Sequence, residues 1–124
     1  MKKVLVSAVA VFVVTGMTAI ARTAPASMAT QDAAKIAAGK KAFDAQKCGT
    51  CHKIAGKGGT MGSSLDGVGK KLSEADLKKW LTAPAEMEAK LPTKPKVSMA
   101  ASMKSKKLTD ADVDSLVAYM MSLK

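Results

Sequence analysis

Both cysteines and the only histidine of this 124-residue chain fall in one short stretch, Lys47-Cys48-Gly49-Thr50-Cys51-His52. What these three side chains hold decides what the rest of the chain can fold around. A structural zinc site takes four protein ligands and usually comes as paired clusters, and three Cys or His residues in total fall short of that. A thioredoxin-like dithiol needs a strand before it in a βαβ setting, and no strand pattern precedes Cys48. A plain disulfide is allowed in an oxidising compartment. It would close only a tiny loop, add little stability and leave His52 without a task.

Compartment is indicated by the first 29 residues. Lys2 and Lys3 are followed by the apolar run "VLVSAVAVFVVTGMTAIA" and then by small residues, the layout of a secretory signal. A-x-A-like or related cleavage sites end at Ala21, Ala26 or Ala29, the last two being favoured. The run from Val4 to Ala21 approaches the length that spans a bilayer, so an uncleaved anchor is the competing reading. Thr15, Gly16 and the small-residue tail favour cleavage. The expected organisation is a signal peptide over 1–29 and one folded domain over 30–124. That domain lies in the periplasm or another extracytoplasmic space, with no stable membrane insertion after cleavage.

Residues 30–124 are short of bulky apolar material. Phe43, Trp80 and Tyr119 are their only aromatic residues, and a domain of this size is marginal by burial alone. Something other than side chains is expected to fill the centre.

The periodicity is helical throughout. Thr30 to about Gln46 is alanine-rich, with Ile36 and Phe43 on one face and a cap at Thr30 or Asp32. "SEADLKKWL" starts a helix at Ser73, paired with Asp76, and puts Leu77, Trp80 and Leu81 on one face; Pro84 ends it or opens the next turn. Glu86 to Leu91 reads as one short helical piece. "LTDADVDSLVAYMMSLK" has Thr109 as cap, Asp112 three residues on, and an apolar stripe of Val113, Leu116, Val117, Met120 and Leu123. No alternating pattern asks for strands. The fold class is all-α, with three to four short helices.

Two irregular stretches separate these helices. "IAGKGGTMGSSLDGVG" (54–69) holds six glycines, and "LPTKPKVSMAASMKSKK" (91–107) is basic, Met-rich and interrupted by Pro92 and Pro95. Loops this long in a small domain are usually functional or disordered. Here they are expected to wrap around something.

The remaining reading of the motif is covalent haem, for which C-x-x-C-H is the attachment signature. The spacing lets Cys48 and Cys51 reach the two vinyl groups at one edge of a porphyrin, and carries His52 beneath the ring with a nitrogen facing the iron. An export signal, a sole histidine in that position, an undersized core and two wrapping loops agree with it.

On these residues the chain resembles the small monohaem c-type cytochromes of class I, from about Ala34 to Leu123. Gly39 and Phe43 correspond to the family's first helix and Leu116 and Tyr119 to its last, the two crossing where glycine allows close approach. "GSSLDGVGKKLSEADLKKWLTAP" is similar to the family's next segment, with Leu65, Val68, Leu77, Trp80 and Leu81 as haem-packing or core residues. The family usually has proline after the glycine matching Gly62, and that proline's carbonyl accepts the hydrogen bond of the proximal imidazole. This chain has Ser63 there, a departure that bears on reduction potential rather than on fold. The resemblance implies a cytochrome c-like fold wrapped around one covalent haem c.

The opposite face of the iron has two candidates. The resemblance puts a methionine in the loop before the last helix, where Met99 and Met103 stand, and His/Met ligation raises the potential of such cytochromes. Neither is followed by the family's usual proline. Met99 is favoured because it follows "PKVS" in the extended part of the loop; Met103 is the alternative.

With both axial positions filled by protein the expected role is a soluble one-electron carrier, not an enzyme. The alternatives are a five-coordinate haem enzyme or gas binder, and a dedicated cytochrome subunit of a larger oxidoreductase. The 20 basic against 10 acidic side chains are spread along the chain with no nucleic-acid motif. They suit redox partners with acidic docking surfaces, such as an oxidase, reductase, dehydrogenase or quinol-oxidising complex. Lys53, Lys57, Lys104, Lys106 and Lys107 are the steering candidates by position.

Overall fold

A computed structural model of the chain describes residues 24–124; the export-signal reading of residues 1–29 falls, up to Thr23, outside them. The first helix, α1, spans Ala24–Ala45, and so runs back through both expected caps, Thr30 and Asp32. Alanine's high helix propensity carries it. Pro25 fits in the first turn, where its missing N–H forgoes no intrahelical bond.

After α1 come a 3₁₀ turn at Cys48–Thr50, a minimal hairpin β1 (Lys53–Ile54) and β2 (Lys57–Gly58), and the short helix α2 (Val68–Lys71). Then follow α3 (Glu74–Thr82), α4 (Pro84–Ala89), α5 (Met99–Met103) and α6 (Asp110–Ser122). The described residues thus hold six α-helices, more than the three to four expected. The additional ones, α2 and α5, are pieces of four and five residues within or beside the stretches read as irregular, while α4 answers to the short piece expected at Glu86 to Leu91.

The hairpin was also not anticipated. Its strands pair antiparallel, Lys53 with Gly58 and Ile54 with Lys57, too short a ladder to show alternation. Ala55 (φ 50°) and Gly56 (φ 76°) both take left-handed conformations, as a two-residue type I′ connection requires.

Helices α1 and α6 form the frame. A side chain at Gly39 would overlap the Ser115 carbonyl and come within 2.7 Å of the Tyr119 Cβ, so only glycine lets the two backbones approach this closely. One turn further on, the Phe43 ring meets Tyr119 edge to face at 5.8 Å between centroids. Helix α6 opens with a full capping box: the Asp112 N–H donates to Thr109 Oγ1 (3.2 Å) and the Thr109 N–H to Asp112 Oδ2 (3.0 Å). Its stripe of Val113, Leu116, Val117 and Met120 is buried.

Helices α2 and α3 close the other side of this stripe. Gly69 donates its N–H to the Leu123 carbonyl (3.0 Å), in a contact that a Cβ would obstruct against the Met121 carbonyl. Ser73 caps α3 as expected, accepting from the Asp76 N–H at 3.1 Å. Leu77, only 2% exposed, enters the core, and an exposed ion pair joins Lys78 to Asp114 of α6 at 2.8 Å. Pro84 sits at the start of α4, where a missing N–H is harmless. Phe43, Leu65, Val68, Leu77, Val113, Leu116, Val117 and Met120 make one contiguous core, with Ala42, Cys48, Ile54, Leu72, Leu81 and Tyr119 packed around it. The architecture is all-α with a trace of strand.

Candidate functional site

Helix α1 delivers the chain to the cysteine turn. Its last bonds are Gln46 N–H to the Ala42 carbonyl (2.9 Å) and Lys47 N–H to the Asp44 carbonyl (3.0 Å). Lys47 then takes a left-handed conformation at φ 54°, which turns the backbone out of the helix. Cys48 to His52 close a single tight turn, with the Cys51 and His52 N–H groups both donating to the Cys48 carbonyl at 3.2 and 3.0 Å. Both cysteines are free and half-buried. Burial pushes the Cys48 thiol up, opposed by the charge of Lys106. Among the described residues no three His, Cys, Asp or Glu side chains converge as a metal ion would need.

His52 is held from the glycine-rich stretch. Its Nδ1 lies 2.8 Å from the Ser63 carbonyl oxygen. A carbonyl only accepts, so Nδ1 carries a proton, and Nε2 is the nitrogen that the neutral ring offers as a ligand. The ring lies against the backbone of Gly62, where a Cβ would fall 2.8 Å from His52 Cε1 and 2.9 Å from Nδ1.

The stretch is stitched to the cysteine turn by backbone bonds. Gly59 N–H donates to the Gly49 carbonyl, Gly62 N–H to the Cys51 carbonyl and Leu65 N–H to the Lys53 carbonyl, each at 2.9 Å. Asp66 holds the hairpin turn, accepting from the Ala55 N–H at 2.6 Å and from the Ser64 hydroxyl at 2.8 Å. The Ala55 N–H, then the Ser64 hydroxyl, keep that carboxyl below its usual range.

Met99 and Met103 are the first and last residues of α5, both half-buried. A spacing of four on a helix puts them on one face, a turn apart. Met99 is therefore helical, which corrects the reading that it lies in extended chain. Ser98 caps α5, accepting from the Ala101 N–H at 3.1 Å, and Pro92 and Pro95 lie safely upstream. Met103 and Ala100 line a groove with Leu81, Thr82 and Pro84.

Of the other candidates, Leu65 and Val68 are buried in the main core and Trp80 is half-buried on α3. Ser63 is the one brought directly onto His52. Lys106 is not free to steer a partner: half-buried, it donates to the Gln46 carbonyl at 2.6 Å, because a cation is favoured at a helix C-terminus. Two residues that sequence reasoning missed are Glu88, whose carboxylate meets α5, and Gly62. The first has no sequence signal, its partners lying ten and twelve residues away. The second stands in the quoted motif, with nothing in the sequence to say that it faces His52.

Residues 36–124 match the family model for cytochrome c. The chain belongs to the cytochrome c family. No curated protein and no solved structure matches it. Membership makes it a haem-based electron-transfer protein with covalently bound haem c and redox-protein partners, in a family that is generally not enzymatic. The residues present fit that group. Two free thiols stand one turn apart, and the adjoining imidazole is bonded through Nδ1 and lies so close on Gly62 that any side chain there would displace the ring. No helix of the described residues is long and apolar enough to cross a membrane.

Proposed function

We propose that this cytochrome c is an exported one-electron carrier that shuttles between redox proteins in the periplasm or a comparable space. It carries one haem c, attached as thioethers to Cys48 and Cys51, with His52 as proximal ligand and Met99, or Met103 one turn behind it on α5, as distal ligand. The bond from His52 Nδ1–H to the Ser63 carbonyl carries this reading. It fixes the tautomer, orients the ring and raises the basicity of Nε2, as carbonyl partners do for metal-bound histidines.

The haem, when bound, supplies exchange of one electron between ferrous and ferric iron. The chain supplies the rest. Cys48 and Cys51 fix the ring relative to α1, Gly62 gives the imidazole its resting surface, and the wrapping stretches exclude water. Leu65, Val68 and Trp80 are the apolar lining. A methionine sulfur as the second protein ligand beside His52 would leave a bound haem no open place for substrate, which favours electron exchange over substrate binding. The exposed lysines Lys57, Lys104 and Lys107, with the half-buried Lys53, favour partners with acidic docking faces. Export rests on the leader over 1–29, cut after Ala21, Ala26 or Ala29.

Ferric Met99→Ala and Met103→Ala proteins test the ligation. The weak far-red band of methionine-bound haem is expected in the unchanged protein and in Met103→Ala, and is lost in Met99→Ala. The reverse pattern makes Met103 the ligand. Carbon monoxide binding to the untouched ferrous protein would favour the five-coordinate enzyme.

A further inference from the structure

The helix that bears both methionines is five residues long. Isolated helices of that length are unstable in water, and its first N–H groups have no partner within the helix. The eight residues before it, 91–98, contain two prolines and no regular element. Something outside α5 must hold it.

One side chain of α4 does so. Glu88 Oε1 accepts from the Ala100 N–H at 3.0 Å and Oε2 from the Ser98 hydroxyl at 2.9 Å, while that same hydroxyl accepts from the Ala101 N–H. The Met99 N–H also favours the carboxylate. One carboxylate thus bonds to Ser98 and Ala100, on either side of Met99, and joins α4 to α5. Charge-assisted bonds of this kind are the stronger class of hydrogen bond. Glu88 is also fixed at its own end, since α4 begins at Pro84 directly after α3, with the Glu86 and Met87 N–H groups donating to the Ala83 carbonyl. Beyond α5, Lys106 ties the chain to the end of α1.

We propose that Glu88 is the positioning residue for the distal ligand: its carboxylate grips the first turn of α5 and thereby sets where Met99, and Met103 one turn behind it, present their sulfur. This rests on methionine ligation as read above. Removing the grip leaves the two methionines in the chain but frees the helix that aims them.

The test uses the exported holoprotein and the variants Glu88→Ala, Glu88→Gln and Glu88→Asp. Glutamine keeps an acceptor for the Ala100 N–H and can reverse the bond to Ser98; aspartate keeps the charge but falls a methylene short. Two quantities are read on the ferric protein: the far-red methionine band, and the affinity of added imidazole, which must displace the methionine. Glu88→Ala and Glu88→Asp should weaken the band and bind imidazole roughly tenfold more tightly, the equivalent of about one lost charge-assisted hydrogen bond. Glu88→Gln, which keeps the bonds but not their charge, should fall between the unchanged protein and Glu88→Ala. If the unchanged protein has the band and Glu88→Ala and Glu88→Asp keep it with unaltered imidazole affinity, the role of Glu88 is refuted while methionine ligation stands. If the unchanged protein lacks the band, both fall together.

Discussion

Gly62 is the surface on which the His52 ring rests. A methyl group there would sit 2.8 Å from Cε1, so the ring would have to swing and lose its 2.8 Å bond to the Ser63 carbonyl. Gly62→Ala is therefore expected to destabilise the protein by about 1–3 kcal/mol, the range for forced overpacking, and to speed exchange of the Nδ1 proton. Denaturation midpoints and imidazole NMR check both. Proton exchange as slow as in the unchanged protein would mean that the ring is held by something else. At this scale the sequence was legible where chemistry is local. Cys48, Cys51 and His52 declare themselves by type and spacing, and Ser63 only through the family resemblance. Glu88 and Lys106 were not legible, because each acts on backbone groups far along the chain and any carboxylate or lysine looks alike in a sequence.

Helices α3 and α6 were readable because their caps are contiguous: Ser73 with Asp76 and Thr109 with Asp112 each close within one turn. Thr109→Ala is expected to cost about 1 kcal/mol, seen as a lower Tm. The Thr109 N–H, then its hydroxyl, hold the Asp112 carboxyl below its usual range; Asp66, Asp76 and Asp114 are lowered too. A group depressed in the folded state stabilises above its unfolded pKa, about 3.9 for aspartate, and loses that contribution as pH falls through the folded value. Stability should thus decline on acidification below about pH 4, and less steeply in Asp112→Asn. An equally steep acid loss in that variant would assign the effect elsewhere. Helix α5 and the hairpin escaped the sequence for a common reason. Elements of two to five residues show no period, and they persist through partners supplied by tertiary structure: Glu88 for the one, Asp66 for the other.

Among the described residues, eight buried apolar side chains gather on α1, α2, α3, α6 and the Leu65 loop. Only one of them, Phe43, is aromatic. The crossing of α1 and α6 at Gly39 was legible through the family resemblance, and the all-α class followed from periodicity; the way α4 and α5 join was not, since the hydrogen bonds between them come from one carboxylate. A core this small makes covalent attachment of a large apolar group the central claim. Denaturing mass spectrometry of the exported protein tests it most directly. The polypeptide is predicted to keep the mass of one haem after unfolding and acidic organic extraction, and to lose it in a Cys48→Ala, Cys51→Ala double variant. A bare polypeptide mass for the unchanged protein, with the haem left in the solvent, would contradict it.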